Sequence, residues 1–283
     1  MRFDIKTAPM NTTWKAMLDV WQEADRIPLY DTAWNFDHFE PIFSDRSGPC
    51  LEGWTMLAAM AGLTSRIRLG CQVTGMPYRH PAVLANMAAT IDIASGGRLV
   101  IGLGAGWNAD ECTALGIELP PLKERFDRFD EGVEAIVRLL SSGDGEQVNY
   151  DGRHVQLRDA WFEPKSVQRP HPPIAIGGSG EKRTLRTVAR FAQHWNAIVP
   201  DADQWRAKRD VLHRHCADVG RDPSEIECSV NVWVTPDADP GAVAASCATW
   251  EDAGVDVVVL YMATPHSPAI LGPLADELAS LSS

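Results

Sequence analysis

The sequence lacks most of the patterns by which a chain declares a metal, a nucleic acid or a membrane. Its six cysteines, at positions 50, 71, 112, 216, 228 and 247, are scattered, with no C-x-x-C pair and no zinc spacing. They read as reduced thiols of a cytoplasmic protein with no metal site. No stretch approaches the roughly 18 apolar residues needed to span a bilayer, and the N-terminus lacks a basic-then-apolar signal pattern. Positive charge is scarce: 26 Lys and Arg against 38 Asp and Glu leave a net charge of −12. Nucleic acid and membrane surfaces are therefore excluded as expected partners. No Ser-His-Asp spacing, internal repeat, low-complexity tract or linker appears, so residues 1–283 read as one domain.

What is present centres on Arg98 to Glu111, Arg-Leu-Val-Ile-Gly-Leu-Gly-Ala-Gly-Trp-Asn-Ala-Asp-Glu. Leu99 to Ile101 is a short β-rich run, a buried strand. Gly102, Gly104 and Gly106 follow at every second position and leave one face of the strand end bare, against which something flat or bulky can lie. Trp107 and Asn108 then offer stacking on a ring and hydrogen bonding to its edge. The dinucleotide fingerprint G-x-G-x-x-G is not met, because Trp107 stands where the third glycine belongs.

The rest of the chain keeps a rhythm. Strands read at Arg2–Lys6, Tyr30–Trp34, Ile67–Val73, Leu99 onward, Ile174–Ile176, Trp195–Val199, Ile226–Val234 and Val255–Tyr261. Helical stripes lie between them, the longest through Phe126, Phe129, Val133, Ile136, Val137 and Leu140. Thr12 or Thr13 caps the first helix. Strict alternation implies a parallel sheet, and eight units in this length match a (β/α)8 TIM barrel, with a doubly wound sheet as the competitor. Gly143 to Leu157 breaks the rhythm and reads as a small hairpin inserted between strands 4 and 5, turning at Asp151-Gly152.

In a barrel, chemistry collects at the C-terminal strand ends. The loop Gly177-Gly178-Ser179-Gly180 precedes a helix carrying Lys182, Arg183 and Arg186. Bare backbone N–H groups at a helix start, a serine hydroxyl and three cations make an anion site, here after strand five. His38 is the acid–base candidate. Asp37 beside it would orient it only against the rule that adjacent strand residues face opposite ways. His80, before Pro81, reads as a helix cap. Glu111 is either an acid or the first-turn carboxylate that a helix start favours.

Arg79-His80-Pro81, Gly96-Gly97-Arg98-Leu99, Gly104-Ala105-Gly106-Trp107-Asn108 with Glu111, Ile176-Gly177-Gly178-Ser179-Gly180 with Thr184-Leu185-Arg186, and Trp195-Asn196 together resemble the luciferase-like monooxygenase superfamily. They resemble most its branch of oxidoreductases using the deazaflavin coenzyme F420. The likeness covers residues 30 to 200 and implies a TIM barrel with an insertion, commonly a homodimer. It places the cofactor ring at the strand ends beside Gly106, Trp107 and Asn108, and its phosphate on Gly177, Gly178, Ser179 and Gly180. It implies a bulge with a non-proline cis peptide at Val73-Thr74-Gly75 against the ring. His38 matches the histidine of the Asp-His-Phe motif in F420 members, where it assists proton or hydride transfer. Sugar-phosphate dehydrogenases of the family carry a glutamate where Trp107 stands, so Trp34 and Trp107 imply an apolar or aromatic substrate pocket instead.

The expected activity is hydride transfer between the deazaflavin C5 and a C=C, C=N or C=O bond of a small organic substrate, with His38 handling the proton. An FMN-dependent monooxygenase is the alternative, and a non-catalytic cofactor-binding relative the third reading.

Overall fold

The computed structural model describes residues 1–281, so the last two residues of the expected 1–283 domain lie outside the described ones. Its strands are β1 (Arg2–Thr7), β2 (Tyr30–Asn35), β3 (Arg68–Cys71), β4 (Thr74–Gly75), β5 (Leu99–Gly104), β6 (Gln147–Asp151), β7 (Gln156–Trp161), β8 (Ile174–Gly177), β9 (His194–Ala197), β10 (Glu227–Val234) and β11 (Val257–Met262). The helices are α1 (Trp14–Arg26), α2 (Gly53–Leu63), α3 (Pro81–Ala94), α4 (Ala109–Leu115), α5 (Leu122–Ser141), α6 (Thr184–Phe191), α7 (Ala202–Val219), α8 (Pro240–Ala253) and α9 (Leu271–Leu278).

The sheet runs β3-β2-β1-β11-β10-β9-β8-β5, and a β3–β5 pairing closes it. Every pairing in this ring is parallel. The result is the eight-stranded barrel expected from the alternation, not the open doubly wound sheet. β6 and β7 pair antiparallel outside it, between the fourth and fifth barrel strands. Their connection begins at Gly152, whose N–H donates to Val155 O, and is pinned by Glu131, whose carboxylate accepts from the N–H groups of Arg153, His154 and Val155.

Barrel strands are buried on both faces, which is why they read as near-continuous apolar runs. Phe3 and Ile5 of β1 join the large core between barrel and helices, whereas Trp34, Val100, Ala175 and Val259 form a separate cluster inside the barrel. The caps follow the sequence: Thr13 accepts from Ala16 N at the start of α1, and His80 accepts from Ala82 N at the start of α3. α4 is anticipated only as the helix start that favours Glu111 in its first turn. Its seven residues carry too weak an apolar stripe, and it is defined by its ends, the Asn108 side-chain cap and Gly116 at φ 68°.

The third strand departs from expectation. It stops at Cys71, and a cis peptide bond joins Gln72 to Val73 before the short β4 resumes. The cis bond thus precedes Val73, one residue before the Val73-Thr74-Gly75 stretch that the family resemblance implies. The bare face of β5 receives this bulge. A Cβ on Gly102 would lie 1.8 Å from the Cys71 carbonyl oxygen, and one on Gly104 would lie 2.7 Å from Val73 Cγ2. Gly177 completes the seat, its Cβ position 3.0 Å from Val73 Cγ1. The period-two glycines admit neighbouring backbone and one valine side chain.

Gly102→Ala is therefore expected to destabilise the protein by about 3 kcal/mol, since the obstacle is a main-chain oxygen that cannot swing aside. Gly62→Ala in α2, where nothing lies within 4 Å, should instead be neutral or stabilise by about 0.5–1 kcal/mol. Urea unfolding midpoints of the two variants separate these outcomes.

Candidate active site

The C-terminal ends of β2, β3 and β5 bring His38, Tyr78, Trp107 and Glu111 together. Glu111, in the first turn of α4, is their hub and has no exposed surface. Its Oε2 lies 2.8 Å from His38 Nδ1 and accepts from the Tyr78 hydroxyl at 2.6 Å. Its Oε1 accepts from Phe39 N at 2.6 Å and Glu40 N at 3.3 Å. Burial alone would raise its pKa, but the bonds from His38, Tyr78 and Phe39 overcome that and hold it at about 2. Both sequence readings of Glu111 meet here with a correction to one. It is the first-turn carboxylate, and it is locked in the ionised form, so it serves as a positioning anion and not as an acid.

An ionised carboxylate cannot donate, so His38 carries a proton on Nδ1 toward Glu111 and leaves Nε2 outside that bond. The ring is held edge-on by Phe36 and Trp107, with centroids 5.0 and 5.6 Å away. Asp37 takes no part in this. It points the other way, with its carboxylate on both Nη atoms of Arg79, and Arg79 also reaches Glu52. Arg79 thus takes Asp37 away from its neighbour, and the orienting carboxylate comes from 73 positions along the chain.

The other expected residues fall into place as follows. Trp107 is half exposed at the mouth, stacked on Phe43 with centroids 5.6 Å apart. Asn108 spends its Oδ1 on Glu111 N as the α4 cap. Gly106 takes φ 80°, and a Cβ there would meet Pro77 at 2.9 Å. Val73 covers Gly104 and Gly177. Thr74 turns outward, its hydroxyl accepting from Trp54 Nε1 at 2.7 Å, and a Cβ on Gly75 would meet the Tyr78 ring at 2.8 Å. Trp34 is not at the mouth. It fills the barrel interior with no exposed surface, its Nε1 donating to Asp4 Oδ2 at 2.8 Å and its ring edge-on to His194.

The glycine loop leaves β8 with Gly178 at φ 113°, a conformation open to glycine and strained for other residues. Gly178 N–H bonds to Asn196 O, and Gly180 O accepts from Leu185 N. The Ser179 hydroxyl is already committed, donating to Ile198 O and accepting from Ile198 N, both at 2.9 Å. It ties the loop to the end of β9 and is not free for an anion. Arg183 is likewise engaged by Asp127 and Asp130. The exposed Lys182 and Arg186 and the backbone N–H groups are what the loop can offer an anionic group.

On the opposite side of the mouth, Trp233 and Tyr261 stack with centroids 4.2 Å apart. Lys6 lies over the Tyr261 ring at 4.8 Å. Neither this pair nor Tyr78 is among the candidates that the sequence offers. The signals were the inward parity of Lys6, Trp233 and Tyr261 on their strands and the Tyr before Arg79.

A family model for luciferase-like monooxygenases matches residues 1–267. An uncharacterised protein of Mycobacterium tuberculosis is 34% identical over 239 residues, 83% of this chain and 79% of its own. A protein of Microbacterium testaceum named F420-dependent glucose-6-phosphate dehydrogenase is 28% identical over 281 residues, 98% of this chain and 80% of its own. Among solved structures, an F420-dependent secondary alcohol dehydrogenase bound to an F420–acetone adduct superposes with a TM-score of 0.87 at 17% identity, over 100% of this chain and 99% of that one. At that identity the likeness is one of fold. Among the described residues, no helix is long and apolar enough to cross a membrane and no cluster of side chains is arranged to hold a metal.

The Glu111 hub has a pH signature. Its folded pKa of about 2 lies below the ordinary 4.5, so its stabilisation is complete above the unfolded value and is lost as pH falls from 4.5 toward 2. By linkage the loss is about 3 kcal/mol. Glu111→Gln should be destabilised at neutral pH by about 2–4 kcal/mol and should lose this acid dependence. Urea unfolding between pH 2 and 7 measures both effects.

Proposed function

This chain belongs to the luciferase-like monooxygenase family, and we propose that within it the protein is an oxidoreductase that uses coenzyme F420 and a small organic substrate. The observation that carries the reading is His38, held by ionised Glu111 at the rim of the mouth, in an Asp-His-Phe stretch that resembles the motif of F420 members. The relative over most of the chain's length that is named for F420 supports it.

The residues present fit the cofactor. Val73 seated on Gly104 and Gly177 gives an apolar platform of the kind a planar ring requires. Gly178 at φ 113°, the loop through Gly180 and the start of α6 form a cradle for a phosphate. When bound, the deazaflavin exchanges a hydride at C5 with a C=C, C=N or C=O bond. His38 donates or accepts the matching proton at Nε2, Glu111 and Tyr78 fix its ring, and the aromatic pair Trp107 and Phe43 screens it from water. Trp107 supplies no carboxyl group, which speaks for an apolar or aromatic substrate and against a sugar phosphate. We also assign a homodimer through α2 and α3, which expose Leu63, Val83 and Ile93 although both helices are apolar around much of their circumference.

His38→Ala should lower turnover by about 10²–10⁴-fold while leaving the dissociation constant for F420 unchanged, read by steady-state rates and cofactor fluorescence. Turnover equal to wild type would remove His38 from the reaction.

A further inference from the structure

Lys6 is a buried cation to which the described residues give no anion. It is 8% exposed, inside the barrel at the floor of the mouth, and its Nζ donates to the main-chain oxygen of Gln72 at 2.8 Å. Among the described residues no carboxylate forms an ion pair with it. The nearby carboxylates are engaged elsewhere: Asp37 by Arg79 and Glu111 by His38 and Tyr78 at the mouth, and below it Asp4, which burial raises to about 7, by Trp34 and Thr32. The other titratable groups near it, Cys71 and Tyr261, are held neutral by burial, the tyrosine pushed up to about 12. Burial lowers Lys6 itself to about 8, so the ammonium is still its main form at neutral pH. A lone buried charge is costly unless something pairs with it.

A second unsatisfied group belongs to the residue that Lys6 contacts. The Gln72 side chain is 3% exposed, and neither its amide oxygen nor its amide nitrogen has a partner. The carbonyl that Lys6 grips belongs to the peptide bond leading into Val73. The residue whose carbonyl holds the Lys6 ammonium thus also carries an unpartnered buried amide, and it is bonded directly to Val73 of the platform. Unsatisfied buried polar groups at a strand end of this kind mark a place where a ligand completes the bonding.

We infer that Lys6 is the counter-ion of a negatively charged ring seated on Val73, with the Gln72 amide as its hydrogen-bonding neighbour, and that Lys6 thereby selects an anionic hydroxydeazaflavin over a neutral flavin. The inference rests on the cofactor reading above. The hydroxyl of the deazaflavin ring is conjugated with the pyrimidine carbonyls, so it ionises near neutrality and spreads its charge over the ring. The oxidised ring of FMN has no such hydroxyl and would leave the ammonium uncompensated. In a protein of net charge −12, an anion is disfavoured at long range, so a cation in contact with it decides whether it stays.

The test titrates wild type, Lys6→Met and Lys6→Arg with oxidised F420 and oxidised FMN, and follows the absorption of bound F420 against pH. In wild type the bound ring should ionise at lower pH than free F420. Lys6→Met should weaken F420 binding tenfold or more, leave FMN binding unchanged or tighter, and abolish the shift. Lys6→Arg should restore most of both. An unshifted ring in wild type, which needs no variant to fold, overturns the inference, as does Lys6→Met binding F420 as tightly as wild type. F420 bound by wild type with no effect of Lys6 removes the counter-ion and leaves the cofactor reading standing, whereas no F420 binding by wild type removes both.

Discussion

The entry of the Gln72–Val73 bulge into the bare faces of β5 and β8 is the contact on which the rest of the mouth depends. Gly102 lets the Cys71 carbonyl come closer than any side chain would allow, and Gly104 and Gly177 accept the Val73 side chain. The path of the third strand then shifts by one bulge. Thr74 is turned outward to Trp54, and the Gln72 carbonyl is turned to Lys6. A platform, a buried cation and the entry to the Met76–Tyr78 helical turn all follow from that packing.

Charge in the mouth is arranged around the same frame. Tyr78, two residues past that turn's start, reaches Glu111, and Glu111 gathers His38 and the main chain of Phe39 and Glu40. Arg79, the next residue, holds Asp37 and Glu52 on the far side. The two carboxylates flanking His38, one beside it in sequence and one distant, are thus separated by role. Asp37 anchors the loop to Arg79, while Glu111 sets which nitrogen of His38 faces the mouth. Among the described residues Lys6 is a buried cation with no carboxylate in an ion pair with it, held against the bulge by the Gln72 carbonyl.

Much of this is legible in the sequence, and the failures have physical causes. Eight β-rich runs alternating with helical stripes specify the barrel because each parallel strand must be buried on both faces. The break in the third strand is hidden because Ile67 to Val73 is uniformly strand-like, and the space for the bulge is supplied by glycines 30 residues later. The pocket role that the family resemblance implies for Trp34 fails on height along the barrel axis, which strand parity does not report; its ring lies below the mouth against Asp4 and His194. Ser179 reads as an anion ligand until Ile198 is seen to take its hydroxyl. Lys6 passes unnoticed because a lysine in a short strand usually faces water, whereas the interior positions of a barrel mouth can hold polar side chains. The Glu111 hub needs a contact across 73 residues, which no local pattern reports.

The central claim is that this mouth receives a deazaflavin. The most direct measurement is an equilibrium titration of the apo-protein with F420 and, separately, with FMN, followed by ring fluorescence. The account predicts saturable, stoichiometric F420 binding with FMN bound much more weakly. Tight FMN binding with weak F420 binding, followed by oxygen uptake on reduction, would contradict it and make the protein a flavin-dependent monooxygenase.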